Sequence, residues 1–170
     1  MSYSRAVWGA RAPRALATDG RKHTVVIHHS DGRGSPYTTK AEQRAAMRSI
    51  QNYHMDHNGW NDIGYAFVVF QPEGSILHRA RVYDGRNPHA VPAAQLGHNQ
   101  GTIPVCVVGN FQVENVKRAT KDRLITVVQH LKKEFGITEI RGHRDFNSTD
   151  CPGDHLYPFV QVIRKRLALS

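Results

Sequence analysis

At 170 residues the chain has room for one domain with a single sizeable core, which leaves no space for a second. Lys and Arg total 23 against 14 acidic residues, a net charge of +9 that admits a polyanionic partner, either nucleic acid or the anionic polymers of a bacterial wall. Two cysteines are too few for a disulfide scaffold, and the basic opening "MSYSRAVWGARAPRALATDG" has no continuous apolar run, so neither a signal peptide nor membrane insertion is expected.

In chain order, residues 1–22 read as an N-terminal segment lying on or near the domain. A β-branched run, "TVVIH" at 24–28, predicts a strand, and "GYAFVVF" at 64–70 predicts another. Between them Thr39 and Glu42 have the spacing of a capping box. Ala46, Ile50, Tyr53 and His57 then recur at helical intervals until Asn58-Gly59. "QPEGSILHRA" reads as a hairpin turning at Glu73-Gly74, and a loop-rich stretch, 83–101, leads into the apolar "IPVCVVGNF", where Cys106 behaves as a small core residue. Leu124, Val127, Val128, Leu131 and Phe135 form the stripe of a second long helix that ends at Gly136. A short strand, "TEIR", follows. The last helix is expected to open near Asp154, with Leu156, Val160, Ile163 and Leu167 on one face and Arg164, Lys165 and Arg166 near its end. Interleaved strands and helices give an α/β class: one domain with a central mixed β-sheet flanked by about three main helices.

The chain has 11 histidines, and surface placement accounts for most of them. His28 and His143 differ because each lies at the end of a strand-like run, and Cys151 falls within one loop of His143 in "RGHRDFNSTDCPGD". Two imidazoles and one thiolate suit zinc and leave a fourth position open, the layout of a catalytic site. The spacing His-x7-Cys is not specific in itself, and a loop cysteine beside an unrelated histidine is the competing reading. Side chains alternate along a strand, so only one of His28 and His29 can meet His143 and Cys151.

The segment "GHRDFNSTDCPGDHLY" closely resembles the end of the zinc N-acetylmuramoyl-L-alanine amidase family, which includes phage lysozyme-like amidases and peptidoglycan recognition proteins. "VWGARAP", "VVIHHS", "GWNDIGYAFVV", "VYDGR", Gly97-His98 and "VVGNF" follow the family's order, so the resemblance spans nearly the whole chain. It implies a single zinc amidase domain over 1–170 with the peptidoglycan recognition protein/amidase fold. One zinc ion would be held by His28, His143 and Cys151, and Tyr65 and Thr149 would stand at the catalytic centre. His29 is left as a core or supporting residue. Thr149 occupies a position where the family carries lysine or threonine. His98-Asn99 stands where the family has a His-Ala pair by the substrate groove, and Arg86 and His98 are candidate contacts to stem peptide or sugar. Trp8 and Trp60 read as packing residues.

These residues suit the implied reaction. An amide is a poor electrophile, and zinc both polarises its carbonyl and lowers the pKa of water to ~7. A phenol of pKa ~10 is a weak base at neutral pH, so Tyr65 is assigned to orientation and charge stabilisation. The resemblance therefore implies zinc-dependent cleavage between N-acetylmuramic acid and L-alanine in bacterial peptidoglycan, by a monomer that also meets anionic wall polymers. The setting is that of a phage endolysin made in the host cytoplasm before release to the wall, or of a secreted enzyme whose leader was removed. The alternative is a non-catalytic peptidoglycan-binding module, a class that typically lacks the cysteine ligand. A nucleic-acid-binding domain would rest on charge alone, without recognition-helix or zinc-finger spacing.

Overall fold

The computed structural model describes residues 2–32, 37–72 and 79–170. A five-stranded sheet forms the centre of the molecule. Its strands are β1 (Thr24–His29), β2 (Phe67–Phe70), β3 (Arg81–Asp84), β4 (Thr102–Val108) and β5 (Glu139–Gly142), in the order β3-β2-β4-β1-β5. Only the β2–β3 pair is antiparallel; β1 runs parallel to both β4 and β5, and β2 parallel to β4. The tip of the expected hairpin at Glu73-Gly74 lies outside the described residues, but the two arms it would join are this antiparallel pair.

The interior strands β1 and β4 are buried along their whole length, as parallel strands covered on both faces must be. Alternate residues feed two separate cores. Val25, Ile27, Val105, Val107 and Ile140 pack beneath α3 (Arg118–Phe135) and α4 (Tyr157–Leu167), which contribute Leu124, Val128, Leu131, Val160 and Ile163. On the opposite face, Val68, Phe70, Cys106 and Val108 meet Trp8, Ala46 and Met47 from the short α1 (Arg5–Trp8) and from α2 (Lys40–Asn52). Trp8 is fully buried and donates from its ring nitrogen to the Asp84 carbonyl at 2.8 Å, fastening the N-terminal segment to β3. Among the described residues no helix is long and apolar enough to cross a membrane.

Several elements depart from their expected bounds for identifiable reasons. The capping box of α2 forms as read, with Glu42 N–H donating to the Thr39 hydroxyl at 3.2 Å and Thr39 N–H to the Glu42 carboxylate at 2.8 Å. The α-helix stops at Asn52, however, and Tyr53–His57 form a wider π-helical turn closed by Asn58 N–H on the Tyr53 carbonyl. The strand expected over 64–70 begins only at Phe67, because the carbonyls of Gly64, Tyr65 and Ala66 accept from Ala93, Arg86 and Gly85 in loops. A Cβ at Gly64 would stand 2.2 Å from the Ala93 carbonyl oxygen, so the close approach of the two chains requires glycine there. Tyr83 and Asp84, expected in a loop, belong to β3. The last helix opens at Tyr157 and not near Asp154, whose carboxylate is bound by Arg144 at 2.8 Å and by the Gln112 amide at 2.6 Å.

Candidate metal centre

Sheet register builds the site. β1 and β5 are parallel with Ile27 opposite Gly142, so the next residue of each chain, His28 and His143, emerge side by side with ring centroids 4.6 Å apart. His28 lies opposite Cys106 on β4 and shares its face. His29 points the other way and accepts the Phe111 N–H on Nδ1 at 3.2 Å, which makes it a supporting residue of the core beneath α3 and α4. Strand parity thus selects His28.

Cys151 is brought in by the loop after β5. Its amide donates to the Thr149 hydroxyl at 3.2 Å, its carbonyl accepts from Arg144 N–H at 2.9 Å, and its sulfur accepts from His29 N–H at 3.3 Å. Arg144 also reaches the Asp150 carbonyl and the Asp154 carboxylate, so one guanidinium stitches the loop that carries the thiol. Both cysteines are free thiols.

Donor atoms of His28, His143 and Cys151 all lie within 4.8 Å of one another, and His28 Nδ1 stands 3.7 Å from Cys151 Sγ. Tetrahedral zinc, with bonds of about 2.0–2.3 Å, separates its donors by about 3.5 Å, so the cluster has the composition and nearly the dimensions of a zinc ligand set. The remote nitrogens are held as metal-binding histidines usually hold theirs: His28 Nε2 lies 3.2 Å from Gln95 Oε1, and His143 Nε2 3.2 Å from Asn147 Oδ1.

Protonation states agree with that use. Burial, reinforced by the neighbouring His143, pushes His28 down to about 3, with the Gln95 bond opposing in part. Burial lowers His143 as well, against the Asn147 bond. Both rings are therefore neutral at pH 7, as ligands must be. Burial pushes the Cys151 thiol up to about 12, opposed by the His29 amide and the Arg144 charge, so the thiol keeps its proton until a cation replaces it.

Tyr65 stacks obliquely on His28 with centroids 5.5 Å apart. Burial, then the two sulfurs, raise its phenol well above the usual value, so it stays a donor at neutral pH. Thr149, whose oxygen accepts from Cys151, retains its hydroxyl hydrogen for another partner. The remaining expected contacts separate. His98 is exposed with its ring on Phe146, 5.2 Å between centroids. Asn99 accepts from the amides of Ala94 and Gln95 and so shapes the loop. Arg86 is buried with its guanidinium on the carbonyls of Asp62, Ile63 and Val91, which makes it a clamp between loops and not an open substrate contact. Gln95, Asn147 and Arg144 went unread in the sequence. Only Asn147, four residues after His143 in a polar turn, had a spacing that pointed to it.

Comparison with known proteins gives one consistent result. The family model described as N-acetylmuramoyl-L-alanine amidase matches residues 19–154. The human N-acetylmuramoyl-L-alanine amidase is 37% identical over 145 residues, which are 81% of this chain and 23% of that protein, so the chain spans about a quarter of that relative's length. Peptidoglycan-recognition protein SC1a of Drosophila melanogaster is 32% identical over 159 residues, covering 91% of this chain and 80% of the relative. Among solved structures, the complex of recognition proteins LCa and LCx with tracheal cytotoxin superposes with a TM-score of 0.83 at 29% identity, covering 100% of this chain and 99% of that one. Drosophila recognition protein LB superposes with a TM-score of 0.83 at 25% identity, covering 100% and 96%.

Proposed function

The chain belongs to the N-acetylmuramoyl-L-alanine amidase family, and on that footing we propose that it hydrolyses the amide bond between N-acetylmuramic acid and L-alanine of peptidoglycan, with one zinc ion held by His28, His143 and Cys151. The observation that carries this reading is the complete His, His and Cys donor set within 4.8 Å, which a module that only binds its ligand has no need to keep. When bound, zinc supplies a Lewis acid that polarises the amide carbonyl and lowers the pKa of water.

The chain's own residues do the rest. Tyr65 holds its proton at neutral pH and can donate a hydrogen bond to the oxygen on which charge develops. Thr149 has its one hydroxyl hydrogen to offer beside Cys151. His98, against Phe146, and the exposed Leu96 form the rim over which a stem peptide would lie. Peptidoglycan as the partner is supported by the tracheal cytotoxin bound to the LCa–LCx complex. We place the activity in bacterial wall lysis as a phage endolysin, supported by a Clostridium intestinale endolysin amidase that shares the fold at a TM-score of 0.74 and 25% identity.

The test is mass spectrometry of muropeptides after digestion. New L-alanine amino termini should appear, vanish with a chelator and return with zinc. Cys151→Ser exchanges a thiol for a poor zinc ligand; it should still sediment with purified peptidoglycan while releasing no new termini. Cleavage at any other bond, or undiminished release by the metal-free protein, would overturn the reading.

A further inference from the structure

We propose that the loop tip Gln95-Leu96 positions both imidazoles of the centre, Gln95 directly and Leu96 through Asn147. This inference rests on the metal reading above.

Gln95 is fully buried, and its amide can be oriented in one way only. Its NH2 donates to the His98 carbonyl at 3.1 Å and to the Thr102 hydroxyl at 2.5 Å. A flipped amide would set its oxygen against the His98 carbonyl, which has no proton to give. Oε1 therefore faces His28 Nε2 at 3.2 Å and accepts a hydrogen bond from it. That bond selects the tautomer with hydrogen on Nε2 and leaves the Nδ1 lone pair free, on the nitrogen that lies 3.7 Å from Cys151 Sγ. The opposite tautomer would put a proton where the metal must bind.

The same logic repeats one residue on. Asn147 donates from Nδ2 to the Leu96 carbonyl at 3.2 Å, an acceptor only, so its Oδ1 must face His143 Nε2 at 3.2 Å. His143 then also presents Nδ1. Two candidate ligands, one on β1 and one just past the end of β5, are thus keyed to consecutive residues of one loop.

That loop is itself fixed. Asn99 Oδ1 accepts from the amides of Ala94 and Gln95 at 3.0 and 3.1 Å. Asp19 accepts from Gly101 N–H at 2.9 Å and pairs at 2.6 Å with the buried Lys22, whose ammonium also reaches the carbonyls of Ala90 and Thr102. Gln95 and Asn147 are positioning residues, since they act through the imidazoles and touch no reacting atom.

The experiment measures zinc dissociation constants of the full chain by competition with a chelator, and histidine tautomers of the zinc-free protein from long-range proton–nitrogen correlation spectra. Gln95→Leu and Asn147→Ala should each weaken zinc by about 10–100-fold. Each should also convert the corresponding imidazole from a pure Nε2–H form to a mixture of tautomers. Wild-type zinc affinity and wild-type tautomers in the folded variants would overturn the inference. If Gln95→Leu does not fold, Asn147→Ala, at a half-exposed position, decides the matter in the same way. A parent protein that binds no zinc would instead overturn the metal reading, and the tautomer spectra would still judge the positioning.

Discussion

His54 supports the site without being part of it. It is 7% exposed, accepts Gly64 N–H on Nδ1 at 3.0 Å, and packs its ring on Trp60 and the edge of Tyr65. Burial, then the nearby Arg86 charge, push it down to about 4. An unfolded imidazole takes its proton near pH ~6.5, so as pH falls from about 6.5 to 4 the unfolded state binds a proton that the folded state refuses. Stability is thus full above this window and declines through it, by something on the order of 3 kcal/mol from this residue. His54→Asn, which keeps an acceptor for Gly64, should show a markedly shallower loss of urea resistance between pH 7 and 4.5 than the parent; parallel curves would refute the assignment. At this scale the candidate donors His28, His143 and Cys151 were legible because strand ends and a polar loop mark them, while alternation said only that one of His28 and His29 could join the others and the family resemblance favoured His28. Gln95 was not legible. An amide in a loop has no periodicity, and its role exists only because Thr102 and the His98 carbonyl fix its orientation.

Among the elements, α3 and the capping box of α2 were readable because local spacing decides them. The start of β2 was not, since "GYAFVVF" is equally β-prone throughout and the ladder stops where loop amides capture the carbonyls of Gly64, Tyr65 and Ala66. The π-helical turn was hidden for a related reason: Tyr53 and His57 stack at 4.6 Å in a spacing that an α-helix would share. These junctions make distinct predictions. Gly64→Ala forces a methyl toward the Ala93 carbonyl, and overpacking of this kind costs about 1–3 kcal/mol. Because Tyr65 is the next residue, that variant should lose kcat out of proportion to its fall in Tm while retaining its metal. Thr39→Ala removes only a helix cap and should cost about 1 kcal/mol with kcat unchanged. Thermal melts and steady-state kinetics on both variants separate the two cases.

For the molecule as a whole, the net charge of +9 was available from composition, and its use can be tested. Salt screens exposed charges over about 8 Å at physiological ionic strength, so attraction to anionic walls should weaken steeply as salt is added. Cleavage of a small soluble muropeptide should change far less, and equal sensitivity of the two would leave the charge without a steering role. The strand order carries a different consequence, one of timing. β1 is made early, yet both its neighbours, β4 and β5, come later in the chain, and His28 meets Cys151 across 123 residues. Closing so long a loop is slow, because its entropy must be overcome before any contact rewards it. A nascent chain therefore has no complete set of donors until β5 and the loop behind it have docked, by which point most of the sheet exists. Metal capture would mark the end of folding, and a half-built chain would have no high-affinity place to trap an ion wrongly. In stopped-flow refolding with a zinc indicator, uptake should lag behind the recovery of helical signal and keep pace with burial of the Cys151 thiol; uptake that leads would mean that the donors assemble before the sheet.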